Sequence, residues 1–137
     1  MSTPLYWEGN IGSNPEFREF PNDNDEPHRL LRLNIYFDNA VPVKDGFEDR
    51  GGFWAPVEWW HRDAQRWSTL FQKGMRVLVR GRMVREEWED SDENPRQTFK
   101  IQARQIAILP YRLERILLDP KPAQPSEAPA REVPGSF

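Results

Sequence analysis

The sequence predicts an all-β fold, a five-stranded Greek-key barrel with one helix between its third and fourth strands. Several segments alternate apolar and polar residues with the two-residue period of a half-buried strand. One other segment carries the apolar spacing of a helix, and glycine- and proline-rich stretches separate the segments. The resulting order is three strands, one helix and two long strands. This is the order of the oligonucleotide-binding (OB) fold, although five strands with one helix also suit other small barrels.

The first three strands are predicted at residues 4–12, 30–37 and 53–60. The second is the clearest, because alternation places four large apolar side chains on one face: Leu31, Leu33, Ile35 and Phe37. Pro56, within the third, is typical of an edge strand or a bulge. The segments 21–27 and 38–52 are rich in Asn, Asp, Pro and Gly and are predicted to be loops.

A helix is predicted at residues 62–72, with Gly74 as its terminator. Its apolar face follows i, i+3, i+6, i+7 spacing: Ala64, Trp67, Leu70 and Phe71. Two strands follow, at 75–85 and 97–109, joined by a polar turn over 86–96. Their inward residues are predicted to be Val77, Val79, Gly81 and Met83, and then Phe99, Ile101 and Ala103.

Composition excludes several classes of function. The chain has no cysteine, so disulfides and thiol catalysis are excluded. His28 and His61 lack partners at metal-ligand spacing, and there is no glycine-rich phosphate loop or nucleophile motif. We therefore expect neither an enzyme nor a bound cofactor or metal. With no bilayer-length apolar run and no secretory signal at the start, we expect a cytoplasmic protein.

Domain organisation follows from the same composition. Residues 1–112 are predicted to form one domain, and residues 113–137 a Pro/Ala-rich disordered tail. Five prolines fall within the last 19 residues, a composition that buries too little apolar surface to order itself.

Charge is unevenly distributed along the chain. The formal net charge is −3, but residues 29–112 carry 15 bases against 12 acids. Arg76, Arg80 and Arg82 form a row on the polar face of the fourth strand, which suits a phosphate backbone. The alternative is a solvated strand whose arginines pair with the chain's carboxylates.

Six tryptophans provide candidate stacking surfaces. Trp54 and Trp60 share one face of the third strand, with Val57 and Trp59 on the other. They are candidates to stack on bases, or else pack under loops or at a subunit interface. Trp88 lies in a charged hairpin with no evident core, which favours a nucleic-acid contact. The other two are assigned to the core (Trp67) and to the core or an interface (Trp7).

These residues together resemble the bacterial single-stranded DNA-binding protein family over about residues 5–109. The resemblance is carried by Gly9-Asn10-Ile11-Gly12, by Pro15-Glu16 with Arg18, by residues 54–60, by the helix leading into Lys73-Gly74, and by Gly81-Arg82 with Trp88 seven residues after the glycine. It implies an OB fold that coats single-stranded DNA with little sequence preference, in replication, recombination, repair or mobile-element transfer.

The resemblance also implies a set of site residues. The base-stacking positions would be occupied by Trp54, Trp60, Trp88 and, after the second strand, Tyr36 or Phe37. The backbone path would be lined by Arg32, Arg76, Arg80, Arg82, Lys100 and Arg104.

The expected partners are single-stranded DNA and further copies of the chain. The family resemblance implies a homo-oligomer, a tetramer or a dimer, and we assign the contact to Leu5, Tyr6 and Trp7. The last seven residues, 131–137, keep a proline and a terminal Phe but lack the family's acidic cluster. This difference argues against recruitment of replication and repair partners through the tail.

Two alternatives remain open at this point. In one, the barrel is a protein-interaction adaptor in a replication or conjugation assembly, with the tryptophans as interface anchors. In the other, the same stacking and phosphate contacts bind RNA, which the sequence does not separate from DNA.

Overall fold

A computed structural model describes residues 2–120. Within them, the chain forms eight strands and one short helix, in the order β1 (Ser2–Ile11), β2 (Glu16–Phe20), β3 (His28–Phe37), β4 (Ala40–Val43), β5 (Gly46–Asp49), β6 (Phe53–Trp60), α1 (Ala64–Trp67), β7 (Arg76–Glu89) and β8 (Pro95–Leu109). A 3₁₀ turn, Pro110–Arg112, follows β8.

Five of these strands close the predicted barrel. The main sheet runs β1-β7-β8-β6-β3-β2, and a further pairing of β1 with β3 closes a ring of five strands, with β2 attached outside it. Gly9 lies at this junction, paired with Val77 on one side and Phe37 on the other. A Cβ atom at Gly9 would lie 2.2 Å from the carbonyl oxygen of Tyr36, so only glycine lets the strands approach this closely. The OB architecture predicted from the sequence is thereby confirmed.

The core fills the barrel as the alternation predicts. Leu31, Leu33, Ile35 and Phe37 are all fully buried, as are Val77, Val79 and Ile101. Trp67 is half-buried against the core, where its ring lies 4.4 Å from that of Trp59. Burial of one strand face turns the alternate side chains of each barrel strand outward.

The helix is shorter than the predicted span of 62–72. Only Ala64–Trp67 is α-helical. Ser68 and Thr69 follow it, and their hydroxyls donate to the carbonyls of Gln65 and Arg66 at 2.6 and 2.7 Å. Side-chain hydroxyls that bond to these carbonyls compete with the helical pattern, which explains the early end. Gly74 has a φ of +96° and, as expected, ends this segment.

Two features were absent from the prediction. Residues 38–52, expected to be a loop, contain the β4–β5 hairpin, which forms a separate two-stranded sheet. The β2 strand, Glu16–Phe20, pairs with the first half of β3. Both β2 and the hairpin are almost entirely exposed, so neither carries the apolar alternation that identifies a strand in sequence.

The β7–β8 hairpin extends further than predicted. Pairing continues to Glu89 opposite Pro95, and Asp90 organises the turn beyond. Its Oδ1 accepts hydrogen bonds from the backbone N–H groups of Asp92 and Asn94, both at 2.9 Å. Phe99 was predicted to face inward and is exposed, because it lies opposite Arg85 in the part of the hairpin beyond the barrel.

Two irregularities lie on the barrel wall. Strands β6 and β8 run parallel and pair only at Val57 and Glu58 of β6, so this seam is short. Pro56, which lacks an N–H donor, stands next to it. Between Arg80 and Gly81 the β7–β8 register shifts, because Arg104 is an extra residue without a partner on β7.

Beyond the barrel, residues 113–120 form no helix or strand. The rest of the predicted disordered tail, residues 121–137, lies outside the described residues. Among residues 2–120, no helix is both long and apolar enough to cross a membrane.

Candidate nucleic-acid interface

The outer faces of β3 and β6 carry an aromatic pair. Tyr36 and Trp54 are cross-strand partners, and their ring centroids lie 5.3 Å apart. Trp54 is 62% exposed, and Trp60 and Trp88 are 47% and 48% exposed, so each presents part of its ring to solvent. As predicted from parity, Trp54 and Trp60 lie on the face opposite the buried Val57 and the half-buried Trp59.

The β4–β5 hairpin is anchored beside this pair. The Tyr36 hydroxyl donates a hydrogen bond of 2.6 Å to Oδ2 of Asp49. Oδ1 of Asp49 accepts from the backbone N–H groups of Asn39 and Gly51. The bond from Tyr36 lowers the pKa of Asp49, and the same bond raises the pKa of Tyr36. The Tyr36 ring is therefore fixed at its outer end, next to Trp54.

The backbone of Gly12 lies against the Trp54 ring. A Cβ atom at Gly12 would lie 2.3 Å from Cζ3 and 2.4 Å from Cη2 of Trp54. No real structure tolerates such a contact, so a side chain at this position must displace the indole. Because the displaced atoms are the end of an exposed side chain, the barrel itself can remain intact.

We expect the change Gly12→Ala to weaken nucleic-acid binding by moving this ring, with little loss of folding stability. To check this expectation, affinity for oligo-dT is measured for Gly12→Ala, for Trp54→Ala and for the double variant. If the glycine acts through Trp54, its effect disappears in the Trp54→Ala background. Equal effects in both backgrounds would show that Gly12 acts by another route.

Trp60 lies in a second aromatic cluster that sequence reasoning missed. Its ring centroid is 5.5 Å from that of Phe20 and 6.2 Å from that of His28. Phe20 comes from β2, a strand that the alternation did not reveal, so nothing in the sequence placed it beside Trp60. The Trp60 indole is thus supported on one side by residues of β2 and β3.

On its other side, Trp60 borders an open groove. The groove is lined by Trp60 of β6, Arg82 of β7 and three residues of β8: Gln102, Ala103 and Arg104. Two predicted backbone-contacting arginines and one predicted stacking residue are therefore brought together. An aromatic face beside guanidinium groups suits a base next to a phosphate.

Two other predicted cations are held by carboxylates. Arg76 binds both oxygens of Asp38 and, at 3.0 Å, Oε2 of Glu8, and these contacts raise its pKa. The Lys100 Nζ lies 2.8 Å from Glu86 and 3.0 Å from Glu58, with its pKa also raised. These pairings match the alternative in which cations of the sheet pair with the chain's own acids.

The remaining predicted cations are not held by carboxylates of the part of the chain that the structure describes. Arg80, Arg82 and Arg104 are exposed, and none forms an ion pair with a carboxylate of residues 2–120. Arg32 is half-buried on β3, opposite Glu58 of β6 and Glu16 of β2. The free positive charge of the outer face is therefore concentrated on β7 and β8.

Trp88 stands apart from the other exposed tryptophans. It lies near the end of the β7–β8 hairpin, opposite Arg96, which in turn binds Asp90 at 2.9 Å. The surrounding shallow groove is lined by Glu87, Glu89, Pro95, Arg96 and Gln97. Trp7, by contrast, donates from Nε1 to the carbonyl of Asp38 and packs edge-on against Phe53.

Residues 5–109 match the model of the single-strand binding protein family. A single-stranded DNA-binding protein of Deinococcus radiodurans is 28% identical over 101 residues, 74% of this chain and 32% of the relative. That of Thermus aquaticus is 30% identical over 91 residues, 62% and 31% respectively. The matched part thus spans about a third of each relative's length.

Solved structures support the fold. A small single-stranded DNA-binding protein from Streptomyces coelicolor superposes with a TM-score of 0.65 at 19% identity, covering 79% of this chain and 94% of that one. The Plasmodium falciparum SSB in complex with ssDNA gives a TM-score of 0.61 at 15% identity, covering 78% and 94%.

Proposed function

Because the chain belongs to the single-strand binding protein family, whose model it matches over residues 5–109, we propose that it binds single-stranded DNA with little sequence preference. The observation that carries the proposal is the set of three half-exposed tryptophans on outer strand faces: Trp54, Trp60 and Trp88. Stacking on such rings tolerates any base, because every base has a π-face. Tyr36, fixed beside Trp54, extends the stacking surface.

The phosphate contacts are assigned to a subset of the predicted cations. Arg80, Arg82 and Arg104 are exposed and lack carboxylate partners among residues 2–120, so they can neutralise phosphates directly. Arg32 is a fourth candidate, on the face that carries Tyr36. Arg76 and Lys100 were expected on the same path, but each must first leave two carboxylates. We therefore assign these two a structural role at the edges of the path.

We further propose that the chain acts as a homo-oligomer built on the β1 edge. Over residues 2–8, β1 pairs with β7 and, among the described strands, has no partner on its other side. An open edge of this kind is suited to pairing with the same strand of another copy. We also propose that the domain ends at residue 112, and that the chain acts in replication, recombination, repair or mobile-element transfer.

Tryptophan fluorescence during titration with oligo-dT tests the binding function. We expect strong quenching at low salt, because bases stack on the exposed indoles, and weaker binding at moderate salt. Each phosphate neutralised on a single strand contributes about −0.7 to the slope of log affinity against log salt concentration. Repeating the titration with oligo-U compares RNA with DNA.

Absence of both quenching and complex formation would overturn the proposal. The adaptor function would then be favoured, and copurified protein partners lost on Arg82→Ala would identify it. Arg66→Ala is a suitable control, because Arg66 lies on α1 and lines neither groove described here.

A further inference from the structure

On the basis of the function proposed above, we propose that the nucleic-acid path continues from Trp60 across β8 and β7 to Tyr6 on β1, where Tyr6 stacks on a base. The sequence had assigned Tyr6 to a subunit contact, together with Leu5 and Trp7. The structure separates these three residues. Leu5 packs against the chain's own core and Trp7 against Phe53, whereas Tyr6 lies on the outer face and is 70% exposed.

Tyr6 shares an open groove with three arginines. Its cross-strand partner on β7 is Arg80, and Arg82 is the partner of Pro4 two residues away. Directly opposed residues of an antiparallel pair have Cβ atoms about 4.5–5.5 Å apart and project from the same face. One open groove is lined by Pro4, Leu5, Tyr6, Arg80, Gly81, Arg82 and Arg104. An exposed aromatic ring is thus placed among three guanidinium groups.

This groove is continuous with the groove at Trp60. Arg82 and Arg104 line both of them. The register shift between Arg80 and Gly81 makes Arg104 an extra residue at the point where the two grooves meet. A single strand that stacks on Trp60 can therefore follow Arg82 and Arg104 to Arg80 and Tyr6 without leaving the cationic surface.

The charges around this surface favour a polyanion. Glu8, the next outward residue of β1 after Tyr6, is already bound to Arg76 at 3.0 Å. Glu58 of β6 and Glu86 of β7 lie on outer strand faces of the same sheet, and both bind Lys100. The acids next to the arginine groove are therefore neutralised by other cations, and its positive charge is not offset.

The same charges argue against a contact between two copies at this face. A twofold interface uses the same surface patch on both copies. The patch that carries Arg80, Arg82 and Arg104 would therefore face an identical cationic patch. Like charges brought together in this way oppose association. Pairing along the β1 edge avoids this conflict, because it leaves the outer face of the strand open.

Oligonucleotide length distinguishes this inference from the binding function itself. We expect Tyr6→Ala to weaken binding of an oligo-dT near the upper end of the roughly 4–16 nucleotides that one OB fold covers, by about fivefold or more. A short oligo-dT near the lower end, which the tryptophans alone can hold, should bind Tyr6→Ala and the unaltered protein alike. The matched control is Tyr111→Ala, since Tyr111 is 74% exposed and lines neither groove.

A second variant tests the cations without altering the aromatic ring. For the long oligonucleotide, Arg80→Gln combined with Arg104→Gln should make the slope of log affinity against log salt concentration less steep by about 1.4. Each of the two lost phosphate contacts accounts for about 0.7 of this change.

Three outcomes would contradict the inference. If the long oligonucleotide binds Tyr6→Ala as tightly as it binds the unaltered protein, Tyr6 does not stack on a base and the path does not reach β1. If Tyr6→Ala changes the sedimentation mass of the free protein, Tyr6 is a subunit contact. If neither oligonucleotide binds the unaltered protein, the proposed function itself fails.

Discussion

Replacing Trp54 and Trp88 together by alanine is expected to cause the largest loss of single-stranded DNA affinity of any pair of changes on this chain. Each stacked base contributes about 1–3 kcal/mol by alanine substitution, so two lost stacks correspond to about 2–6 kcal/mol. At the lower limit this is about a 30-fold weaker complex at fixed salt. Titration of a fluorescently labelled oligo-dT measures the change without relying on the tryptophans that were removed.

The matching variant replaces the same two residues by phenylalanine. Phenylalanine retains a π-face, so we expect it to recover much of the affinity, whereas a purely structural role would not follow aromatic character. Unchanged affinity in Trp54→Ala/Trp88→Ala, with an unaltered circular dichroism spectrum, would contradict the stacking mechanism.

Phe37→Ala is expected to have the largest effect on folding. Phe37 is 0% exposed and stacks on Phe53 with a centroid separation of 5.3 Å. It also pairs with Gly9, where β1 and β3 close the barrel. Removing a buried phenylalanine side chain costs about 3–5 kcal/mol, a large fraction of the roughly 5–15 kcal/mol that stabilises a typical domain. Urea unfolding followed by circular dichroism measures this loss.

Phe47→Ala provides the control, because it removes the same side chain from the β4–β5 hairpin at a position 75% exposed. Its free energy of unfolding should stay within about 0.5 kcal/mol of that of the unaltered protein. Similar losses for both phenylalanines would mean that the hairpin packs against the barrel more extensively than the structure indicates.

The sequence was informative where one strand face is buried and the other is not. Alternation in β3 and β7 identified both the core and the outward residues, because a two-residue period assigns every side chain to one face or the other. It also placed Trp54 and Trp60 on the outer face of β6. The apolar spacing located the helix but not its end, which the hydroxyls of Ser68 and Thr69 decide.

What the sequence did not provide is the pairing between distant residues. The cationic row on β7 was predicted as a unit, yet Arg76 is held by Glu8 and Asp38, 68 and 38 residues away. Lys100 is held in the same way by Glu58 and Glu86. Exposed elements such as β2 were missed for a related reason, since a strand without a buried face has no apolar period. Consequently, Phe20 could not be placed beside Trp60.

The short seam between β6 and β8 gives ligand binding a second consequence. Because pairing is confined to Val57 and Glu58, local separation of β6 from β8 breaks few backbone hydrogen bonds. A DNA strand bound as proposed crosses the seam, since Trp60 belongs to β6 and Arg104 to β8. Bound DNA would therefore stabilise the paired form of the two strands. Amide hydrogen exchange along both strands should slow as the bound fraction rises. Binding and local opening of the barrel are therefore linked equilibria, each of which opposes the other.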